Sequence, residues 1–298
     1  MSILRYWASA FFLFLGMGFL SQCKTDDSFV PAYLEITSLE VDATSIEGNS
    51  IHEIIGVQPV HNGQSLGTFP IPCKIPINAE GTIKMQFVAF VKNNGNSANW
   101  VPYRTLVYLD TQVTLSREKT TTFTPKFTYR SNTEVSWQED FESGNSTLVP
   151  VRLNKGDTTS IESRSFDLNG KFKGNTNVFV TKFGPNDSLK FIDLSIFDKI
   201  PSLPNDGREV FMEFDVKSDL LVTLALKRYN SAGSAYVQYM SVNPTKGNWR
   251  RIYSNLIYEV QGQPAGTKYE IYFSIDKPEG FSGNREILID NIRLTYLK

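Results

Sequence analysis

Cysteine and histidine are nearly missing from these 298 residues, which hold two of each: Cys23 and Cys73, His52 and His61. So few soft ligands argue against a zinc site. The two histidines flank one expected strand, and Cys73 sits in Pro70-Ile71-Pro72-Cys73, so it reads as a small packed hydrophobe and not a nucleophile. No Gly-x-Ser-x-Gly elbow, His-Glu-x-x-His helix or phosphate-cradling loop occurs, and no pair of acids is singled out for glycoside hydrolysis. The chain is therefore expected not to be an enzyme and to need no catalytic cofactor. Charge of one sign is lacking too, with 30 Lys plus Arg against 31 Asp plus Glu. Nothing there points to nucleic acid.

A long apolar run occurs only at the start, from Trp7 to Leu20 behind the single cation Arg5, and it leads into Leu20-Ser21-Gln22-Cys23. The run is too short for a comfortable membrane span of roughly 20 residues and carries the pattern of a signal peptide. Residues 1–22 are expected to be removed, which would take the net charge from −1 to about −2. Leu-Ser-Gln-Cys resembles a bacterial lipobox, although Gln22 stands where a small residue is usual. The resemblance implies a lipidated Cys23, and two or three acyl chains would hold the protein on a membrane where one would not. With Cys23 so used, Cys73 has no intrachain disulfide partner. The tether at 23–31 contains Lys24, Asp26 and Asp27, which look like the surface-export signal of Bacteroidota lipoproteins. The expected location is the outer membrane, lipid-anchored and facing outward.

Behind the leader no helical apolar period lasts three turns, whereas alternation rich in Val, Ile, Phe, Tyr and Thr recurs throughout. The body is expected to be all-β. At 41% hydrophobic and 13% aromatic content there is material for two ordinary domains. In residues 32–132, Glu53–Val60 and Gln64–Phe69 flank His61-Asn62-Gly63, and Asn-Gly suits a type I′ hairpin turn. The prolines at 70, 72 and 76 demote that part to an edge or a crossing. Further strands are expected at Gly81–Val91, Arg104–Tyr108, Val113–Leu115 and Thr120–Phe127. About seven short antiparallel strands suggest an immunoglobulin-like sandwich. In residues 135–298 eight or nine strands are expected, including Val210–Lys217, Leu221–Tyr229, Ala235–Val242, Trp249–Tyr258, Tyr269–Asp276 and Glu286–Tyr296. A short helical turn is placed at Leu194–Lys199. This count fits a jelly-roll sandwich.

Four segments of the second half carry a resemblance: Glu139-Asp140-Phe141-Glu142, Glu213-Phe214-Asp215-Val216-Lys217, Gly247-Asn248-Trp249-Arg250-Arg251 and Ile289-Asp290-Asn291-Ile292-Arg293-Leu294. In order and spacing they are similar to the jelly rolls of carbohydrate-binding modules. The first half, with Gly67-Thr68-Phe69-Pro70-Ile71-Pro72 and Phe123-Thr124-Pro125-Lys126-Phe127, looks like the N-terminal region of Bacteroidota surface lipoproteins that pair an immunoglobulin-like domain with such a jelly roll.

Asp290 shares alternation with Leu288, Ile292 and Leu294, and a carboxylate on an apolar face must be paired, hydrogen-bonded or metal-bound. The resemblance implies a structural calcium held by Asp290 with Asp140 or Glu142; hydrogen bonding to backbone or arginine is the plainer alternative. A sugar platform needs flat rings with polar neighbours, and Tyr229, Tyr236, Tyr239 and Trp249 are the candidates. Tyr236 and Tyr239 have opposite parity, so at most one lies on a given face. For Trp249 packing is the favoured reading, since in the resembled modules the Gly-x-Trp position begins a strand and its ring covers the edge of the core. Two functions follow as expectations: a non-enzymatic accessory subunit of an outer-membrane transport, secretion or barrel-assembly complex, or a glycan-binding lipoprotein of a polysaccharide-utilisation system.

Overall fold

The computed structural model describes residues 30–43, 50–153, 156–170, 172–184, 191–196, 200, 203–277 and 285–298. Cys23, Lys24, Asp26 and Asp27 lie outside the described residues. The chain is all-β and builds two sandwiches in sequence.

The N-terminal sandwich comprises β1 (Ala32–Ile36), β2 (Glu40–Asp42), β3 (Gly56–His61), β4 (Gln64–Ser65), β5 (Phe69–Pro70) and β6 (Cys73–Ile77). It continues with β7 (Gly81–Lys92), β8 (Trp100–Pro102), β9 (Leu109–Leu115), β10 (Thr120–Thr122) and β11 (Lys126–Thr128). One sheet runs β4-β3-β7-β8, with β5 also on β3 and β9 also on β7; β10-β1-β6 and β11-β2 form the second layer. The β3–β4 hairpin turns on Asn62 and Gly63, whose φ angles of 49° and 74° are the two positive values that a type I′ turn requires. Gly56 is fixed by space, since a Cβ there would stand 2.7 Å from the Trp100 ring. Pro76 sits in β6, which pairs only with β1, and so blocks no central ladder.

Three expectations for this half are corrected. The strands are not all antiparallel, because β1 with β10 and β2 with β11 pair in parallel, the end of this half returning beside its beginning. Thr120–Phe127 is two strands, interrupted around Pro125, which offers no N–H to a ladder. Arg104–Tyr108 is a turn and not a strand; the pairing with β7 is made instead by Trp100–Pro102.

The C-terminal sandwich begins with β12 (Thr133–Glu139), β13 (Leu148–Arg152), β14 (Thr158–Leu168), β15 (Phe172–Phe183), β16 (Phe191–Ile196) and β17 (Val210–Ser218). It ends with β18 (Val222–Asn230), β19 (Gly233–Val242), β20 (Arg250–Asn255), a single-turn helix α1 (Ile257–Val260), β21 (Lys268–Asp276) and β22 (Arg285–Leu297). One sheet has the order β14-β15-β22-β17-β20, with β12 also on β22, and the other has the order β13-β16-β21-β18-β19. Alternation explains the core between them: Val222, Leu224 and Leu226 of β18 and Ile271, Phe273 and Ile275 of β21 meet Val210, Met212, Phe214 and Val216 of β17. The helical turn placed at Leu194–Lys199 is corrected over its described part, where Leu194 and Ile196 are strand residues paired with β13, and Leu194 also with β21. The strand placed at Trp249–Tyr258 stops at Asn255 and passes into α1, whose first turn takes an N–H bond from Ile257 to Asn255 Oδ1.

Bulges decide two side-chain faces. In β22, Asn291 has a φ of 49° and the register with β17 slips between Glu213 and Asp215. Ile287 and Ile289 point into the core before the slip, Ile292 and Leu294 after it. Asp290 therefore does not share the face of Ile292 and Leu294, because one inserted residue reverses parity.

The outer face of the β17–β20–β22 region carries a buried charged network that joins the sandwiches. Glu213 is fully buried and accepts from Arg293 Nε at 2.9 Å, Arg251 Nη2 at 3.1 Å and Thr295 Oγ1 at 3.0 Å. From the first sandwich the Tyr103 hydroxyl donates to Glu213, while Arg293 donates to the Tyr129 hydroxyl at 2.6 Å. Arg251 also pairs with Asp215 at 3.1 Å, and its backbone N–H donates to Glu53 Oε2 at 2.8 Å. Phe211 and Tyr253 of the second sandwich belong to the apolar cluster of the first, where Tyr103 meets both edge-on.

Burial opposes ionisation of Glu213, but Arg293 and Arg251 beside it win and hold its carboxyl down to about 2. Because that folded value is below the unfolded one, the stability contributed is present above about pH 4.5 and is lost as pH falls towards 2. Glu213→Gln leaves two buried guanidiniums short of a counter-charge and is expected to cost about 3–5 kcal/mol. Urea unfolding across pH 2–7 checks both points: the variant should be weaker at pH 7 and its acid limb shallower, and an unchanged acid limb would contradict the assignment.

Candidate functional site

The β13-β16-β21-β18-β19 sheet lies across the core from the face that meets the first sandwich; on its outward side Tyr236 is exposed and Lys227, Tyr229 and Glu270 are half-buried, while Asp193, Ser195, Tyr272 and Ser274 are buried beneath them. Since Leu194, Leu226, Ile271 and Phe273 point inward, their neighbours Asp193, Ser195, Lys227, Glu270, Tyr272 and Ser274 point outward. Strand register then sets them in rows: Ser195 beside Tyr272 beside Ala225, and Glu270 beside Lys227 beside Tyr236. Tyr236 is 46% exposed and meets Tyr272 edge-on, with ring centroids 5.4 Å apart. Lys227 Nζ stands 5.0 Å above the Tyr229 ring.

Polar groups are fixed around these rings. Glu270 accepts from Ser195 Oγ at 2.6 Å and from the Tyr229 hydroxyl. The Tyr236 hydroxyl is 3.4 Å from Ser274 Oγ, which donates to Asp193. Burial would raise the Glu270 carboxyl, but hydrogen bonds from Ser195 and Tyr229 outweigh it and hold the group below its ordinary range. Burial, with Glu270 adding to it, raises the Tyr272 phenol. The face thus offers the accessible ring of Tyr236 and the half-buried ring of Tyr229 beside the oriented Glu270 acceptor, held from below by Tyr272, Ser195, Ser274 and Asp193, a combination that suits the C–H faces and hydroxyls of a sugar.

Of the four tyrosine and tryptophan candidates, the structure brings together Tyr229 and Tyr236. Tyr239 is not with them: it is the inserted residue of a bulge between Gln238 and Met240, and packs on the core with its hydroxyl accepting from Ser254 Oγ at 3.2 Å. Trp249 is 2% exposed, lies against Phe166 and donates Nε1–H to the Ser165 carbonyl, which makes it a packing residue. Tyr272 and Glu270 were not among the sequence candidates. The signal was there, since Glu270, Ser274 and Asp276 share parity with Tyr272 and mark that parity as the polar one.

The calcium candidates lie on the other sheet. Asp290 Oδ1 accepts from Asn291 N at 2.7 Å, while Oδ2 is buried with no hydrogen-bond partner. Burial first, then the nearby Asp215, push its carboxyl up to about 8. Glu142 accepts from Thr176 Oγ1 and from Asn177 N at 3.0 Å. Asp140 turns outward and accepts from Glu142 N at 3.2 Å. No three acidic, histidine or cysteine side chains converge among the described residues. An orphaned buried carboxylate oxygen with Glu142 and Thr176 alongside fits a hard cation in part; Asp290 and Glu142 would hold it, Asp140 would not, and the ion would supply structural charge. Cys73, with its thiol raised by burial, is half-buried against the first core.

No protein-family model and no curated protein matches the chain. Solved structures that the chain matches in part include the CBM22-2 xylan-binding domain from Paenibacillus barcinonensis Xyn10C. It is 15% identical, with a TM-score of 0.35, over 54% of this chain and 98% of that one. A carbohydrate-binding module specific for non-crystalline cellulose, CBM28, is 16% identical, with a TM-score of 0.36, over 52% of this chain and 91% of that one. A structure describing promiscuous carbohydrate-binding modules of the β-sandwich superfamily is 12% identical, with a TM-score of 0.34, over 81% of this chain and 85% of that one. Identities of 12–16% with TM-scores of 0.34–0.36 establish neither a shared family nor a shared ligand.

Calcium added to chelator-treated protein is expected to raise Tm by a few degrees, on the order of 1 kcal/mol of linked binding. Asp290→Asn should abolish the rise. A wild-type Tm identical with and without calcium would remove the ion from the account.

Proposed function

We propose that this chain is a non-enzymatic carbohydrate-binding protein that holds a glycan chain against the outer face of the β13-β16-β21-β18-β19 sheet. The observation that carries the reading is the juxtaposition of Tyr236, Tyr272 and Tyr229 with Glu270, Ser195, Ser274 and Asp193 on that single face. Tyr236 supplies an accessible ring at one edge of the sheet; Glu270 supplies an acceptor whose orientation is set before a ligand arrives, and buried Asp193 acts through Ser274 to fix the Tyr236 hydroxyl. Prealigned groups lose less entropy on binding, which favours a modest but specific site.

In this reading the N-terminal half acts as an immunoglobulin-like spacer. The Cys23 lipid, behind the Lys24, Asp26 and Asp27 export signal, would tether the pair to the outer face of an outer membrane. The alternative role, as a subunit of an outer-membrane transport, secretion or barrel-assembly complex, rests on the lipid anchor, the export-like acids and two sandwiches with no evident reaction centre; the tyrosine face favours a glycan.

Affinity electrophoresis of the protein through gels containing neutral plant or bacterial polysaccharides tests the site. Retardation by at least one polymer is expected. Tyr236→Ala and Tyr272→Ala should each weaken it by ~10-fold or more, in line with loss of about 1–2 kcal/mol of ring contact. Unaltered mobility of the wild type across a wide panel, or full retention in the Tyr236→Ala, Tyr272→Ala double variant, would refute the assignment.

A further inference from the structure

A cavity of about 380 Å³ opens where the two sandwiches meet, and neither the tyrosine face nor the calcium candidates account for it. That volume is within the range of about 300–1,000 Å³ typical of small-molecule sites. The first sandwich contributes Lys92 and Glu53; the second contributes Arg250, Lys246, Asn243 and Asn248.

Its charge is unbalanced in a definite way. The one acid of the lining, Glu53, is already engaged, by Arg250 at 3.1 Å and by the backbone N–H of Arg251 at 2.8 Å. Lys92 and Lys246 have no acidic partner among the described residues. Two ammonium groups from different halves thus border one cavity in a protein whose net charge is only −1. The attraction for an anion there is local and not a property of the whole surface.

The backbone segments that carry the two lysines are fastened to the second sandwich. Beyond Lys92, Asn94 N donates to the Tyr253 carbonyl at 2.9 Å and Asn94 Oδ1 accepts from Asn255 N at 2.7 Å, which fastens the end of β7 to β20. Lys246 sits on a tight turn at φ 54°, beside Thr245, whose N–H donates to Ser218 O at 2.7 Å. Asn243 and Asn248 also line the cavity, and the Asn248 amide donates to the Lys246 carbonyl at 3.3 Å.

We propose that this junction is a second binding site, one that takes an anionic sugar, bearing a carboxylate or a sulfate ester, with Lys92 and Lys246 pairing the anionic group. The site is separate from the tyrosine face and does not require it. Together they would select an acidic polysaccharide over a neutral one.

Isothermal titration of the full chain with tri-galacturonate, with a sulfated galactose trisaccharide and with a neutral trisaccharide of equal length tests the proposal. At least one of the two anionic probes should bind, weaken as salt rises, and lose ~10-fold or more in affinity in the Lys92→Gln, Lys246→Gln double variant. The charge-conserving Lys92→Arg, Lys246→Arg variant should bind within ~3-fold of wild type, and Tyr236→Ala should leave the short anionic probe unaffected. Which probe binds tells carboxylate from sulfate. The proposal is overturned if neither anionic probe binds, if the Gln pair binds as wild type does, or if Tyr236→Ala abolishes the binding. Retardation by neutral polymers, lost in Tyr236→Ala, is read separately and fails or stands on its own.

Discussion

Glu213 is the constraint around which the molecule is organised. Its carboxylate is buried in the outer face of a sheet, where an unpaired charge would cost several kcal/mol, and it persists because two arginines, a threonine and a tyrosine of the other sandwich converge on it. A buried ion pair adds little net stability over a hydrophobic pair, but it rewards only one geometry. Here that geometry is the docking of one sandwich on the other. Around it Phe211 and Tyr253 complete the apolar core of their neighbour, so the contact behaves as part of a fold and not as a loose hinge.

That docking sorts the surfaces of the second sandwich. One sheet packs outer side chains against the neighbour; the other is left uncovered by it, and there exposed Tyr236 and half-buried Glu270 lie over buried Tyr272. The same docking brings Lys92 beside Arg250 and Lys246. Both candidate sites are therefore consequences of which face is covered.

The all-β class, the Asn62-Gly63 turn and the long alternating strands were legible because each depends on local chemistry: positive φ, or a period of two. What was not legible depends on partners far away in the chain. Asn291 and Tyr239 create bulges, and a bulge reverses the faces of every residue beyond it, so parity placed Asp290 with Ile292 and Leu294 when the structure separates them. Leu194 was read as helical from the prolines behind it, yet its partners Phe273 and Pro150 make it a strand. Glu213, Arg251 and Arg293 were visible inside quoted motifs, but their pairing with Tyr103 and Tyr129 spans more than a hundred residues and leaves no local mark. Trp249, for which packing is the favoured reading of the sequence, is 2% exposed and lies against Phe166.

If the buried network joins the sandwiches into one cooperative unit, differential scanning calorimetry of the full chain should show a single transition whose calorimetric and van't Hoff enthalpies agree. Two resolved transitions at neutral pH, each with the enthalpy of one sandwich, would contradict it.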